Sequence, residues 1–171
     1  MKRIWLCFLV FLLLPLITSV SISLNQEYKK SETLIAKVSG LFTEPIQEKN
    51  ILFYRGTVKI PMDFDLGKIG DNFYIKAQLN GRTAGNYSIK IQNVRYYNLS
   101  EFSVEPFSAN FLIINDFADF SVESGFISTN SNFSISIRNF KDTGITLNIK
   151  TPDGITTEKE LNIPSPQLKI I

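Results

Sequence analysis

Apolar and polar residues alternate with a period of two through most of this chain. In Thr33-Leu34-Ile35-Ala36-Lys37-Val38-Ser39, one face carries Leu34, Ala36 and Val38. Residues 71–79 (DNFYIKAQL) put Phe73, Ile75, Ala77 and Leu79 together, and residues 85–91 (GNYSIKI) do the same with Tyr87, Ile89 and Ile91. Shorter β-rich runs stand at 50–54 (NILFY), 57–62 (TVKIPM) and 93–97 (NVRYY). Gly, Pro, Asn and Asp bound these runs, as they bound half-buried antiparallel strands. No long helical period competes with this pattern after residue 21. Several short strands at close spacing predict an all-β fold, an antiparallel sandwich.

The pattern breaks between residues 101 and 115, where Pro106, Ser108 and Asn110 intervene. This predicts a β-sandwich over residues 22–104 and a second unit over 109–171. The second unit brings new alternation at 119–123 (DFSVE), at Phe133, Ile135 and Ile137, and at Ile145, Leu147 and Ile149. Thr151-Pro152-Asp153-Gly154 predicts a turn, with strands over 158–163 and 168–171. Leu24, Leu34-x-Ala36-x-Val38 and Gly40 are echoed by Val122, Phe133-x-Ile135-x-Ile137 and Asn139, which reads as two sandwich units in tandem. The second spans 63 residues, against roughly 100 for an immunoglobulin-type sandwich. Two explanations stand for this incomplete unit. One is a fragmentary chain. The other is an open sandwich that takes a strand from a partner, since an exposed apolar edge invites pairing.

The first 21 residues follow another rule. Lys2 and Arg3 precede the apolar run IWLCFLVFLLLPLI, and Thr18, Ser19 and Ser21 follow. This is the layout of a secretory signal helix, with cleavage expected after Ser19 or Ser21. An uncleaved signal anchor is the alternative, with the later residues exported in either case. Of 18 Lys and Arg, two leave with this segment, and the remaining 16 balance 16 Asp and Glu. A neutral chain offers no electrostatic support for a nucleic-acid partner. The one Cys, Cys7, also lies in the segment, so the exported part has no disulfide.

Candidate chemistry narrows quickly. The chain has no His. Without imidazole or an exported thiol, the common general base, thiol nucleophile and tetrahedral zinc site are excluded. No Ser has Lys three residues on, and no G-x-S-x-G occurs. Carboxylates remain: Asp63 and Asp65 share a strand face, with Asp71 nearby. As an EF-hand, a loop from Asp63 would need Glu where Tyr74 stands. A solvated strand face beside Lys68 is the expected reading, with no catalytic, metal or cofactor site. Asn86-Tyr87-Ser88, Asn98-Leu99-Ser100 and Asn132-Phe133-Ser134 fit N-x-[ST] glycosylation acceptors, with each Asn on the solvent phase. Tyr96 and Tyr97 are adjacent, so one ring of a regular strand faces out, a candidate platform for a sugar.

Gly85-Asn86-Tyr87-Ser88-Ile89-Lys90-Ile91 resembles the corner that enters the penultimate strand of immunoglobulin-like surface modules. Residues 120–139 (FSVESGFISTNSNFSISIRN) resemble the opening strands of bacterial and archaeal adhesion-type (CARDB-like) repeats. The chain is similar to secreted archaeal proteins built from such modules. The resemblance implies an extracellular, non-enzymatic module and carries over no binding residues. The expected function is a structural or adhesive role in a secreted or membrane-tethered protein of the cell envelope. Its partner would be a protein or glycan at the cell surface, and its only membrane contact the N-terminal segment. A filament or pilus-like subunit completed by a partner strand is the alternative, and a carboxylate-only hydrolase the third.

Overall fold

The period-two segments fold as strands because each can bury one face and leave the other in water. A computed structural model of the 171-residue chain describes residues 20–98, 101–123, 132, 134–149, 159–164 and 168–170. In chain order the strands are β1 (Ser21–Ser23), β2 (Glu27–Lys30), β3 (Thr33–Ser39), β4 (Leu41–Phe42), β5 (Ile51–Arg55), β6 (Val58–Ile60), β7 (Phe64–Ile69), β8 (Asn72–Gln78) and β9 (Gly85–Ile91). They continue as β10 (Tyr96–Asn98), β11 (Glu101–Ser103), β12 (Phe107–Phe117), β13 (Phe120–Val122), β14 (Ser136–Asn139), β15 (Ile145–Ile149), β16 (Lys159–Ile163) and β17 (Leu168–Ile170). A 3₁₀ turn, Glu48–Asn50, is the one helical element among the described residues. The expected signal segment lies outside them up to residue 19. No described helix is long and apolar enough to cross a membrane. Because β1 begins at Ser21, a cut after Ser19 leaves it whole and a cut after Ser21 removes its first residue.

Two sheets build the first unit. One has the order β1-β3-β8-β7 and is antiparallel throughout. The other has the order β2-β12-β9-β5-β6, antiparallel except where β2 runs parallel to β12. Their inward faces form one core: Leu34, Ala36 and Val38 with Phe73, Ile75 and Ala77 from the first sheet, and Phe53, Tyr87, Ile89, Ile91, Phe111 and Ile113 from the second. Phe53 and Phe64 meet between the sheets with ring centroids 5.4 Å apart. This is a β-sandwich arrangement in which the sequence alternation sets which side chains face in.

The expected break at 101–115 is not a break. Phe107–Phe117 is the longest described strand, and it pairs with β9 from Phe107 opposite Ile91 to Ile113 opposite Gly85. Ser108 and Asn110 are its exposed phase, while Phe111 and Ile113 are buried. Pro106 precedes the strand, where its missing N–H costs no ladder bond. The first core therefore extends past residue 104, and residue 109, the expected start of a second unit, lies inside the first unit's sheet.

Beyond Ala118 a smaller body follows. One sheet has the order β13-β14-β17 and a second pairs β15 with β16. Ile137, Ile145 and Ile163 form its core, with Phe120, Ile135 and Leu147 packed against them. Asn139 closes the β14–β15 turn: its Nδ2 donates to the carbonyls of Thr143 (2.9 Å) and Ile163 (3.1 Å), and its Oδ1 accepts from Lys141 N–H (2.8 Å). Phe133 and the predicted turn at 151–154 lie outside the described residues.

The smaller body is fastened to the outer face of the β3–β8 ladder. Thr33 Oγ donates to the Val122 carbonyl (2.8 Å) and accepts from the Val122 N–H (3.1 Å). Gln78 Nε2 donates to the same carbonyl (3.1 Å). Lys76, buried there, donates to the Glu123 carbonyl and pairs with Asp65 at 3.0 Å. Burial of a Lys is tolerated because an anion and a carbonyl both meet its ammonium.

Candidate functional site

The β3–β5, β7–β8 and β9–β12 connections emerge at one end of the first sandwich, because each joins strands that alternate in direction. Short polar contacts hold them together. Ser39 Oγ donates to Asn72 Oδ1 (2.8 Å), and Thr43 N–H donates to the Arg95 carbonyl (3.0 Å). Asn50 joins two of these loops. Its Oδ1 accepts from Gln47 N–H (2.9 Å), and its Nδ2 donates to the carbonyls of Gln92 (3.1 Å) and Asn93 (3.0 Å). A buried amide with these partners fixes the loops relative to the core. Asn93 takes a left-handed backbone conformation there (φ 56°), which Asn tolerates better than most residues.

On this frame sits a three-stranded ribbon, β11-β10-β4. Its registers place Phe102 opposite Tyr97 and Tyr97 opposite Leu41, so three apolar side chains line up across three strands. They stay exposed: Leu41 57%, Tyr97 45% and Phe102 57%. The Tyr97 and Phe102 rings meet edge-on with centroids 6.2 Å apart. The opposite ribbon face is anchored. Phe42 packs against Phe73, Tyr96 and Phe107, and Tyr96 packs against Phe107. Tyr96 OH donates to the Glu105 carbonyl (3.0 Å). The exposed row is therefore presented by a rigid base. An open groove of about 560 Å³ runs beside it, lined by Leu41, Pro45, Tyr97, Glu44, Lys68 and Asp71. Contiguous exposed apolar side chains are where a candidate interaction surface is sought.

Of the residues singled out in the sequence, Tyr97 is the outward ring and Tyr96 the buried one. Asp63, Asp65 and Asp71 do not converge. Asp65 is committed to Lys76, and Asp71 follows β7 at its far end, roughly 15–20 Å away at about 3.3 Å per strand residue. Among the described residues no three acidic, His or Cys side chains gather as metal ligands. Asn86, Asn98 and Asn132 are all exposed. Asn86 sits on the outer face of β9, beside a cleft lined by Gln26, Ser88 and Asn110. Leu99, Ser100 and Phe133 of the other two motifs lie outside the described residues.

Sequence reasoning missed Leu41, Phe102 and Asn50. For Leu41 the signal was the same as for Tyr97: Leu41-Phe42 and Tyr96-Tyr97 are adjacent apolar pairs, and a strand must turn one member of each outward. No family model matches the chain, and no curated protein matches it either.

Proposed function

We propose that this is a non-catalytic cell-envelope protein, secreted or membrane-tethered, whose first unit is an immunoglobulin-like adhesive or structural module. Two features support the module reading. The strand order β1-β3-β8-β7 over β2-β12-β9-β5-β6 matches an A-B-E-D sheet over an A′-G-F-C-C′ sheet. Tyr87, early in the F-equivalent β9, donates its OH to the Thr83 carbonyl at 2.8 Å, a tyrosine corner. Ile89, fully buried, stands where antibody domains carry the second disulfide Cys, so apolar packing replaces the covalent link.

The observation that carries the adhesive reading is the exposed Leu41–Tyr97–Phe102 row. It lies on the B–C and F–G loops, the end that immunoglobulin domains use for recognition. A surface protein or glycan at the envelope is its partner, and the N-terminal signal delivers the chain there. The test couples beads to the exported chain and measures their retention on envelope fragments of the producing cells. Leu41→Ser, Tyr97→Ala and Phe102→Ser combined are expected to cut retention at least about tenfold, the effect of losing one or two aromatic anchors. Unchanged retention, with an unchanged melting profile, overturns the reading.

A further inference from the structure

The outer face of the larger sheet carries a polar cleft that shares no lining residue with the groove beside the ribbon. Strand alternation builds it. Asn86 and Ser88 point outward on β9 because Tyr87 and Ile89 are buried, and Asn110 and Leu112 point outward on β12 because Phe111 and Ile113 are buried. The registers set Ser88 between Asn110 and Tyr54, and Leu112 opposite Asn86. Gln26 is held alongside, since its carbonyl accepts from the Leu112 N–H at 2.8 Å. About 520 Å³ of open space lies over Gln26, Asn86, Ser88, Asn110 and Leu112, and the half-buried Tyr54 stands next in the row. Gln26, Asn86 and Asn110 are exposed. Among the described residues, no protein group hydrogen-bonds to their side chains, to Ser88 Oγ or to the Tyr54 hydroxyl. The amides that build loops behave differently: Asn50 and Asn139 each make three such bonds.

We infer that this cleft is a binding site for a neutral saccharide. Each amide of Gln26, Asn86 and Asn110 sets an acceptor oxygen beside N–H donors, the complement of neighbouring sugar hydroxyls, which both donate and accept. The Tyr54 ring and Leu112 supply apolar surface for the C–H face of a pyranose. The cleft volume falls in the range of small-ligand sites, about 300–1,000 Å³. Charge argues against an anionic ligand. None of the lining residues is charged, and Lys59 and Glu27, which end the two rows beside Tyr54 and Leu112, have opposite signs. Pairing argues against a peptide strand. β9 is bonded to β5 on one edge and to β12 on the other, so the floor has no free ladder groups to offer. What the floor does offer is a set of side-chain amides and hydroxyls, fixed in place by the ladder beneath them.

The test uses the full exported chain, produced in a host that attaches no N-glycans so that Asn86 stays bare. The probes are neutral trisaccharides of glucose, mannose, galactose and N-acetylglucosamine, with trigalacturonic acid as the charged comparison. Calorimetry measures affinity, and backbone amide chemical shifts locate the sugar. Saturable binding of at least one neutral trisaccharide is expected, with shifts at 86–88 and 110–112. Asn110→Leu keeps the bulk of the side chain and removes its amide. It is expected to weaken binding about tenfold, the effect of losing the hydrogen bonds of one amide. Failure of every neutral probe to bind overturns the inference. So does tighter binding of trigalacturonic acid, or shifts confined to Leu41, Tyr97 and Phe102, or full affinity in both Asn110→Leu and Tyr54→Ala. The shift map needs no variant, so a substitution that unfolds the chain leaves the test intact. The ribbon row is read separately, by bead retention, and stands or falls without this result.

Discussion

In the first unit β5 is flanked by β6 and β9, and β12 lies beyond β9; in the second unit, among the described residues, β15 pairs with β16. The opening strands of the two are paired alike, yet their described cores differ widely. Seventeen buried residues form the first and three form the second. β9 and β12 alone contribute Tyr87, Ile89, Ile91, Phe111 and Ile113 to the larger core. The late strands thus do more than extend a sheet. They close the second face of the sandwich, and burial rises for every strand that faces them. The comparison predicts two separable stabilities in one chain.

The largest effect comes from breaking the closing strand. Ile89 is fully buried at the centre of β9, between Phe53 and Ala109. Ile89→Ala is expected to destabilise the first unit by about 2–5 kcal/mol, the usual cost of deleting a large aliphatic side chain from a filled core. Denaturant unfolding followed at first-unit amides shows this as a lowered midpoint. Ile163→Ala is expected to move only the weaker transition of the second unit. If both substitutions move one common transition equally, the two units are a single cooperative body and the comparison fails.

Alkaline pH separates the units next. Tyr28 is buried in the first core, and burial pushes its hydroxyl up to about 12. The Asn25 N–H, donated to the Tyr28 oxygen at 3.0 Å, pulls the other way, and the Glu32 charge adds to the rise. The folded value lies above the unfolded value of 10.0, so this stability is complete below pH 10 and is lost as pH climbs toward 12. The loss is at most on the order of 3 kcal/mol, at about 1.4 kcal/mol per pKa unit. Tyr28→Phe is expected to flatten that slope in stability measured from pH 9 to 12, while the second unit shows no change from the substitution.

These strands were largely legible in the sequence. Alternation alone places Leu34, Ala36, Val38, Phe73, Ile75, Ala77, Leu79, Tyr87, Ile89 and Ile91 inward, and all are buried. The failure at β12 has a physical origin. Phe107–Phe117 opens with Phe, Ser, Ala and Asn, so its first outward residues, Ser108 and Asn110, are small and polar and mimic a boundary between units. β1 and β2 are only three and four residues long, too short for a period to register. The exposed Leu41–Tyr97–Phe102 row was half legible. Adjacent Tyr96 and Tyr97 required an outward ring, but that Leu41 and Phe102 flank it follows only from the pairing of β4, β10 and β11 across more than fifty residues of chain. Ser121 shows the same limit. It lies in a segment read as simple alternation, yet it is buried while Phe120 and Val122 are half-exposed, because the strand docks at the junction between units.

Cutting that junction sharpens the comparison more gently. Thr33→Val keeps the shape of the side chain but removes the hydroxyl that meets both backbone groups of Val122. Gln78 still serves the carbonyl, and the Val122 N–H loses its partner. A cost of about 1–3 kcal/mol follows for an orphaned donor. It falls on the second unit if that body leans on the first for its stability. Calorimetry is expected to show the weaker transition moving down while the stronger one holds. A stationary weaker transition means the second unit stands on its own core.

The smallest effect on stability is expected in the exposed row that the proposed function assigns to a partner. Tyr97 is nearly half exposed, and its ring meets that of Phe102, itself exposed. Tyr97→Ala therefore removes little buried area and is expected to change stability by no more than about 0.5 kcal/mol. Tyr96, one residue earlier, is the internal control. Tyr96→Ala strips the ring from Phe42 and Phe107 and the bond to Glu105, and is expected to cost about 3–5 kcal/mol. Adjacent tyrosines then divide the labour of the ribbon, one holding it to the sandwich and the other presenting it. Equal stability losses at both positions would show that the outer row is part of the core and not a surface kept for a partner.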